Sequence, residues 1–530
     1  MGTAEDPPQT LAPARVGVAA VTFFALAATA PLLVLITAVP AALARGGGPL
    51  VPLTFVAVTI VLIFSAAGYA AMAHRAPYAG AIYSYVSRGL GRPAGVAAAW
   101  LALGSYLALQ LGIYGVAGVA AAPLLHSWFH VEAQWWTVAA GCWLLVALGG
   151  TIRVEILSGL LALLVLAEVA VAAGFAAANV IAPAGDRFAR ESFLPAHPAG
   201  IDRPALGLLL AVGALAFVGF ETTGTYAEET MRPRREAGQA TYATVVVFGL
   251  LLAFTSWSVL AGAGPGQVTA LARARGPELL FDLAGARLSP WAVTTGRVVL
   301  LATLVAAALS LHNAMARYLY SLAREKVLPA GLGRAAARTS APRAASLTQS
   351  AAAAVALAVV YLAGVRSPAV LAHRLTVAGG LGVLVLLLAT SLAALLHLNR
   401  VPNGEGAWGR FLAPILSTVT LGTLGYLAFW NIPSLLGVPP DSTLVWLVPA
   451  GLTAVAGAGL VHGVALRGAQ PVVYAGIGQG GMAVVVTPKV PHPREPGTPH
   501  PQEPGTPHPR EPGTPHPRKP GAHRPERVNR

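Results

Sequence analysis

"GFETTGTYAEETMRPRREAGQAT", running from Gly219 to Thr241, decides how the rest of the chain is read. An apolar run ends here in Glu221, Glu228 and Glu229, and Arg232, Arg234 and Arg235 come at once after them. Glu221 stands among Gly219, Gly224, Thr222, Thr223 and Thr225, where a buried helix ordinarily carries Leu or Val. Glycine permits non-helical backbone and threonine hydroxyls compete for backbone bonds, so a helix is easily interrupted at this point. A charged group facing lipid would cost about 2.5–3.5 kcal/mol on insertion scales. Glu221 is therefore expected on a broken helix facing a wet cavity, or else protonated and bonded to nearby backbone.

The flanking composition makes lipid the reference solvent. Of 530 residues, 55% are hydrophobic and 11% charged, against roughly 25% charged in a soluble protein. The apolar blocks exceed the ~20 residues needed to cross a bilayer and lack the charged face of a soluble helix. The alternating strands of a membrane β-barrel are absent. The chain reads as an all-α integral membrane protein with twelve spans, near residues 16–44, 50–73, 94–125, 133–150, 154–180, 204–228, 240–262, 291–323, 343–363, 369–398, 410–431 and 442–466.

An even number of spans puts both termini on one side. With that side cytoplasmic, the inner loops hold the larger share of Lys and Arg, Arg75, Arg88, Arg92, Arg153 and Arg324 among them. The outer loops hold fewer, such as Arg45, Arg273, Arg275 and Arg287. This is the positive-inside bias, and it gives a multi-pass plasma-membrane protein with both termini cytoplasmic. The first apolar block is too long for a signal peptide and comes after Glu5 and Asp6, so it reads as a span. The lone Cys142 permits no intrachain disulfide.

The chain divides into a short cytoplasmic segment at 1–15, a helical domain at 16–466 and a tail at 467–530. In the tail, "HPREPGTP" at His492–Pro499 recurs with small changes. Proline at that density forbids helix and sheet, so a solvated, disordered string is expected there. The tail also supplies much of the +14 net charge, so the high pI does not argue for nucleic acid as a partner. Gly476–Gly481, "GIGQGG", fits a dinucleotide fingerprint, but no strand precedes it and no helix comes after it, so it is set aside. No phosphate-binding loop, zinc-protease or serine-hydrolase signature occurs, and no enzymatic activity, cofactor or metal is expected.

Two regularities point to a repeat. Pro77–Pro93 after the second span and Gly276–Pro290 after the seventh are both short, proline-bounded and semi-polar. Five spans separate them, so they fall on opposite membrane faces, as in two inverted five-span repeats over 16–200 and 201–400, with 410–466 as two added helices. The first helix of each repeat should then be broken. Span one carries Pro31 in "ALAATAPLLVL", and span six carries Gly219 and Gly224. Unwound backbone is tolerated in a bilayer only where it packs in protein or lines a cavity.

These residues resemble a known family. "FVGFETTGTYAEETMRPRR" (Phe217–Arg235) is similar to the sixth-helix signature of the amino acid–polyamine–organocation (APC) permeases. "RAPYAGAIYSYVSRGLGRPAG" (Arg75–Gly95) resembles their loop after helix two, and "LHNAMARYLYSLAREKVLP" (Leu311–Pro329) the end of their helix eight. Two departures stand out: Ala28-Thr29-Ala30-Pro31 replaces the Gly-Ser-Gly of many members, and Gly238-Gln239 stands where a proline is usual.

The resemblance implies a LeuT-like 5+5 inverted repeat with discontinuous helices one and six, and alternating access to a central site. Ala28, Thr29 and Ala30 would offer amides to a substrate carboxylate. Ala216, Phe217, Val218 and Gly219 would offer carbonyls to its amine, with Phe217 as a lid. Glu221 matches a glutamate near the gate. Tyr106, Gln110, Tyr114 and Asn313 are pocket or gate candidates by position. Glu228 and Glu229 are expected to pair with Arg234 or Arg235, or to close an inner gate with the Arg88 loop. Glu168, alone in span five, either carries a coupling proton or packs against a polar neighbour. Arg297, Arg317 and His462 are expected to snorkel or cap.

The expected function is secondary transport of an amino acid or related organic amine by proton symport or exchange, with sodium as the alternative coupling ion. The partners are a small-molecule substrate and the bilayer, and the sequence leaves oligomeric state open. The competing readings are an amine-binding membrane sensor and a carrier of the same fold for polyamines, purines or ions.

Overall fold

Long apolar blocks with no charged face leave the backbone one way to satisfy itself in lipid, and helices are what form. A computed structural model describes residues 11, 13–185, 203–336, 339–364, 367–402 and 404–481. In chain order the helices are α1 (Val18–Thr29), α2 (Pro31–Ala44), α3 (Leu50–Arg75), α4 (Ile82–Leu90), α5 (Arg92–Phe129), α6 (Trp135–Gly149) and α7 (Val154–Ile181). Then come α8 (Arg203–Ala216), a 3-10 run (Phe220–Glu229), α9 (Glu236–Ala263), α10 (Val268–Arg275), α11 (Leu279–Gly285) and α12 (Pro290–Arg324). The rest are α13 (Arg343–Leu362), α14 (Pro368–Arg400), α15 (Ala413–Trp430), α16 (Ile432–Leu436), α17 (Leu444–Ala469) and α18 (Pro471–Gly476). No strand occurs among the described residues. A single parallel bridge joins Val16 to Thr230.

Eleven of the described helical stretches are long and apolar enough to cross a membrane, α1–α2 and α8 with the 3-10 run each counting as one. The twelfth expected span, at 133–150, is the shorter helix α6 of 15 residues. At 1.5 Å per residue it covers about 22 Å, less than the ~30 Å hydrocarbon layer. Leu144, Leu145 and Leu148 on it are more than half exposed. The same lipid-facing pattern recurs at Leu163, Leu250, Val355, Val419 and Trp446. The protein is a multi-pass membrane protein.

Helix α5 forms the spine, packed against α14, α17 and α12, while α3 lies along α9. Close approach needs small residues: a Cβ added at Gly379 of α14 would lie 2.6 Å from the Ser105 carbonyl of α5. The interior is rich in aromatics, with Phe24, Tyr69, Tyr106, Phe217, Tyr226 and Tyr318 all buried.

Helix ends sort onto two sides: a near side, where α1 begins, and a far side, where α2 ends. On the far side, Arg273 Nε donates to the Ala44 carbonyl (2.6 Å) and Arg287 Nη2 to Gly262 (2.6 Å), capping α2 and α9. On the near side, Arg15 and Val16 donate backbone N–H groups to Glu229 (2.9 and 3.2 Å), and Met231 donates to Val16 (3.2 Å). The chain before α1 is thus stitched to the chain after the 3-10 run.

The tail does not begin at 467. Helix α17 continues to Ala469, and α18 comes directly after it. Beyond α18, Gly478 and Gly480 turn their amides onto the Glu325 carboxylate (2.9 and 2.6 Å), which also accepts the Tyr83 hydroxyl. Arg324 Nη2 donates to the Gly480 carbonyl (2.8 Å) and Arg88 Nε to Gly478 (3.2 Å). Gly478, Gly480 and Gly481 all have left-handed φ, near 79°, 69° and 75°. The glycines of "GIGQGG" serve here to wrap backbone round a carboxylate, an anion nest built from the chain itself. Residues 482–530, including the HPREPGTP repeats, lie outside the described residues, as do residues 1–10.

Candidate functional site

The first break falls between Thr29 and Pro31. Ala30 is left-handed (φ 48°, ψ 66°), and α2 starts on Pro31, which has no N–H to lose. The Ala30 amide turns back to Leu26 and Ala27 (3.2 and 3.1 Å), and Thr29 Oγ1 also donates to Leu26 (2.8 Å). This alters the expected roles of Ala28, Thr29 and Ala30. They close α1, and the last turn of a helix leaves carbonyls free, whereas its amides are spent within the helix. The amide end of the break belongs to α2.

The second break falls at Phe217–Gly219. The Phe217 amide reaches Ala214 (3.4 Å) and the Val218 amide reaches Leu215 (3.3 Å), while Gly219 sits at φ 119°. Beyond Gly219 the chain winds as a 3-10 run of 10 residues, far longer than the usual three or four. The threonines explain it. Thr222 Oγ1 donates to Gly219 (2.7 Å), Thr225 Oγ1 to Thr222 (2.7 Å), and the Tyr69 hydroxyl to Glu221 (2.6 Å). Side-chain donors occupy carbonyls that a regular α-helix would use.

The two breaks touch. A Cβ on Gly219 would lie 2.7 Å from both the Ala28 carbonyl carbon and the Thr29 nitrogen. Only glycine allows main chain to meet main chain this closely.

Each break holds a buried carboxylate at its amide end. Glu221 accepts the Gly219 amide (2.9 Å) and the Tyr106 hydroxyl (2.9 Å). Glu168, reaching across from α7, accepts the Leu32 amide in the first turn of α2. Both are 1% exposed. Glu221 is thus bonded to nearby backbone.

The remaining sequence-derived residues divide. Ala216, Phe217, Val218 and Gly219 line the second break, with Phe217 buried edge-on against Phe248. Gln110 joins another network: its Nε2 donates to Tyr114 (3.0 Å) and to the Ala308 carbonyl (3.2 Å), and its Oε1 accepts Gln349 of α13 (3.0 Å). Asn313 is held by Arg317, which donates to its side-chain oxygen (3.2 Å).

The acids at the near side find partners other than those expected. Glu229 pairs with Arg317 (2.7 Å) and Glu228 with Arg324 (2.7 Å), and neither is ion-paired with Arg234, Arg235 or Arg88. Arg317 does not snorkel: it is 2% exposed, and its guanidinium lies 4.1 Å from the centre of the Tyr226 ring. Tyr226 in turn stacks on Phe24 of α1 at 4.2 Å. This buried pair is the feature beside the site that reading the sequence missed. The signal was an arginine inside the apolar run of α12, with a supernumerary glutamate on span six. Glu228 also accepts the Ala79 amide (3.1 Å), tying in the loop before α4. Arg297 pairs with Glu278 on the far side.

A far-side cavity of about 760 Å³ opens above the breaks, lined by Leu33, Ile36 and Thr37 of α2 and by parts of α5, α10, α12 and α14. Among the described residues no group of His, Cys, Asp and Glu is placed to hold a metal ion. The site is thus a contact between two buried helix interruptions, with a cavity on its far side that begins at Leu33 and two ion pairs on its near side. Residues 19–454 match the family model described as amino acid permease. No curated protein matches the chain.

Proposed function

The chain belongs to the amino acid permease family of the APC superfamily, and from that membership we propose that it is a secondary transporter moving an amino acid or related organic amine across the plasma membrane by alternating access. The observation that carries this is the contact of the two interrupted helices, with helix-end groups left beside it. Main-chain groups held there grip a small charged guest without the cost of burying unpaired side chains.

The access cycle is supported by asymmetry. The far side holds a cavity, while Glu228–Arg324 and Glu229–Arg317 hold the near side shut. Helix α4 after the second span and α11 after the seventh, on opposite sides, fit a LeuT-like inverted repeat. The Lys and Arg bias makes the near side cytoplasmic. Glu221 serves as the gate carboxylate, Glu228 as part of the near-side closure, and Glu168 as the group that exchanges a proton in symport or exchange.

The test is uptake of labelled amino acids and amines into proteoliposomes, with and without a pH gradient. Saturable uptake that responds to the gradient is expected, reduced at least tenfold by Glu221→Gln. Binding without any transmembrane flux would make the protein a sensor. A pH response unchanged in Glu168→Gln would remove the proton role from that residue.

A further inference from the structure

Several near-side arginines hold partners. Arg75 pairs with Glu405, Arg317 with Glu229 and Arg324 with Glu228, while Arg88 and Arg400 donate to the Gly478 and Gly89 carbonyls (3.2 and 3.0 Å). Arg232, Arg234 and Arg235, just ahead of α9, are different. All three are exposed, and among the described residues they form no ion pair and no side-chain hydrogen bond. They line one cleft of about 620 Å³ together with His74, Pro77 and Pro233. Among the described residues no carboxylate lines it, and Glu236, next in the chain, is buried.

The turn that carries the three is fixed at both ends. The Met231 amide donates to Val16 (3.2 Å), and the Arg235 and Glu236 amides both close on the Arg232 carbonyl (2.9 and 3.0 Å). Pro233 fixes φ between them. Like charges held on one turn repel one another, and an anion in the cleft relieves that repulsion. Guanidinium forks match phosphate oxygens, and the His74 ring can add a further N–H.

Two lipid-facing stripes end at this cleft. On α3 the exposed side chains are Leu53, Val56 and Ile60, and His74 lies about five helical turns on from Val56. On α9 they are Val246, Leu250 and Phe254, and Arg235 lies about three turns before Val246. The cleft therefore sits where the lipid-facing surface of α3 and α9 meets near-side water, at the depth of phospholipid headgroups.

We propose that this cleft binds the phosphate of an anionic phospholipid in the near-side leaflet, held by Arg232, Arg234 and Arg235, with the acyl chains along the α3 and α9 stripes. Basic pockets between spans take such headgroups. A free phosphate offers the same oxygens, but the two apolar stripes favour the lipid. Binding clamps the end of α3 to the loop before α9, the stretch that Met231 ties to Val16. The inference is independent of what the protein transports.

The full chain in neutral detergent micelles is titrated with dioctanoylphosphatidylglycerol, dioctanoylphosphatidylcholine and inorganic phosphate, and its melting temperature is followed. The phosphatidylglycerol is expected to raise it saturably, at a half-saturating concentration at least tenfold below that of either other probe. Arg232→Gln with Arg234→Gln and Arg235→Gln should raise that concentration at least tenfold. Lys326→Gln with Arg343→Gln and Arg467→Gln removes the same charge from exposed near-side positions outside the cleft, and should change it less than twofold. Equal loss in the two triple variants would overturn the site in favour of diffuse attraction to a basic face. Inorganic phosphate as effective as the phosphatidylglycerol would overturn the lipid assignment, and phosphatidylcholine as effective would overturn the role of charge. If the arginine variant fails to fold, the three probes compared on the unmodified chain still decide.

Discussion

Gly219 is the position where exchanging one hydrogen for a methyl group should cost most. Its φ of 119° is hostile to any side chain, and the atoms that a Cβ would strike are backbone of the other break, which cannot rotate away. Left-handed strain alone costs roughly 1–2 kcal/mol, and overpacking about 1–3 kcal/mol more. Gly219→Ala is therefore expected to lower the melting temperature and abolish uptake. Gly159→Ala on α7, where nothing lies within 4 Å, should leave both unchanged; equal behaviour of the two variants would dissolve the contact between breaks. The Arg317–Glu229 pair is the second residue-scale case. Removing one partner strands a charge under the aromatic lid of Tyr226 and should cost about 3–5 kcal/mol. Arg317→Met alone should melt well below Arg317→Met with Glu229→Met, because the double change leaves no orphan. A double variant no more stable than the single would mean the pair is not closed in solution.

Among the elements, α18 and the glycine turn behind it have the least expected structure and the clearest consequence. They brace the ends of α4 and α12 through Glu325, Tyr83 and Arg324. Burial pushes the Glu325 carboxyl above the usual carboxylate range, against the opposing pull of the Tyr83 hydroxyl, the Gly478 and Gly480 amides and the Arg324 charge. A carboxyl with a raised value holds its proton longer when docked than when free. Docking is then strongest below the ordinary glutamate range and weakens as pH rises through the raised value. In a Cys142→Ala background, Ser84→Cys, buried beneath this turn, should react slowly with a maleimide in a chain ending at 481. It should react several-fold faster in one ending at 469. The ratio between the two should shrink as pH rises, and shrink less in Glu325→Gln. Equal labelling of both chains at every pH would show that the segment does not cover α4. The sequence could not place this element, because its partners lie more than 150 residues away and a glycine run carries no apolar pattern.

At the scale of the whole molecule, eleven of the twelve expected spans and the two interruptions were readable because lipid punishes every unsatisfied backbone group, so each break must announce itself through Pro31, Gly219 or the threonines around Glu221. Pairings were not readable. Arg317 and Glu229 are 88 residues apart, and nothing local distinguishes them from Arg234 and Arg235, which stand closer in the chain. Helix polarity was readable in principle: Ala28 and Thr29 precede the break and so offer carbonyls, whatever a family pattern suggests of amides. What the assembled molecule adds is asymmetry, an open cavity on the far side and a closed cluster on the near side. Under the alternating access proposed above, these would be one equilibrium, with the near-side ion pairs setting its bias. Glu228–Arg324 is the weaker lock, with side chains 15% and 22% exposed. Losing roughly 1–2 kcal/mol there would shift the ratio of the two states about 5–30-fold. A cysteine at Thr37, in the far-side cavity, reports the far-open population. Its labelling should therefore slow several-fold in Glu228→Gln, as the near side opens at its expense. Labelling that stays constant would show that the cavity and the ion pairs are independent features, and the two-state coupling would have to be abandoned.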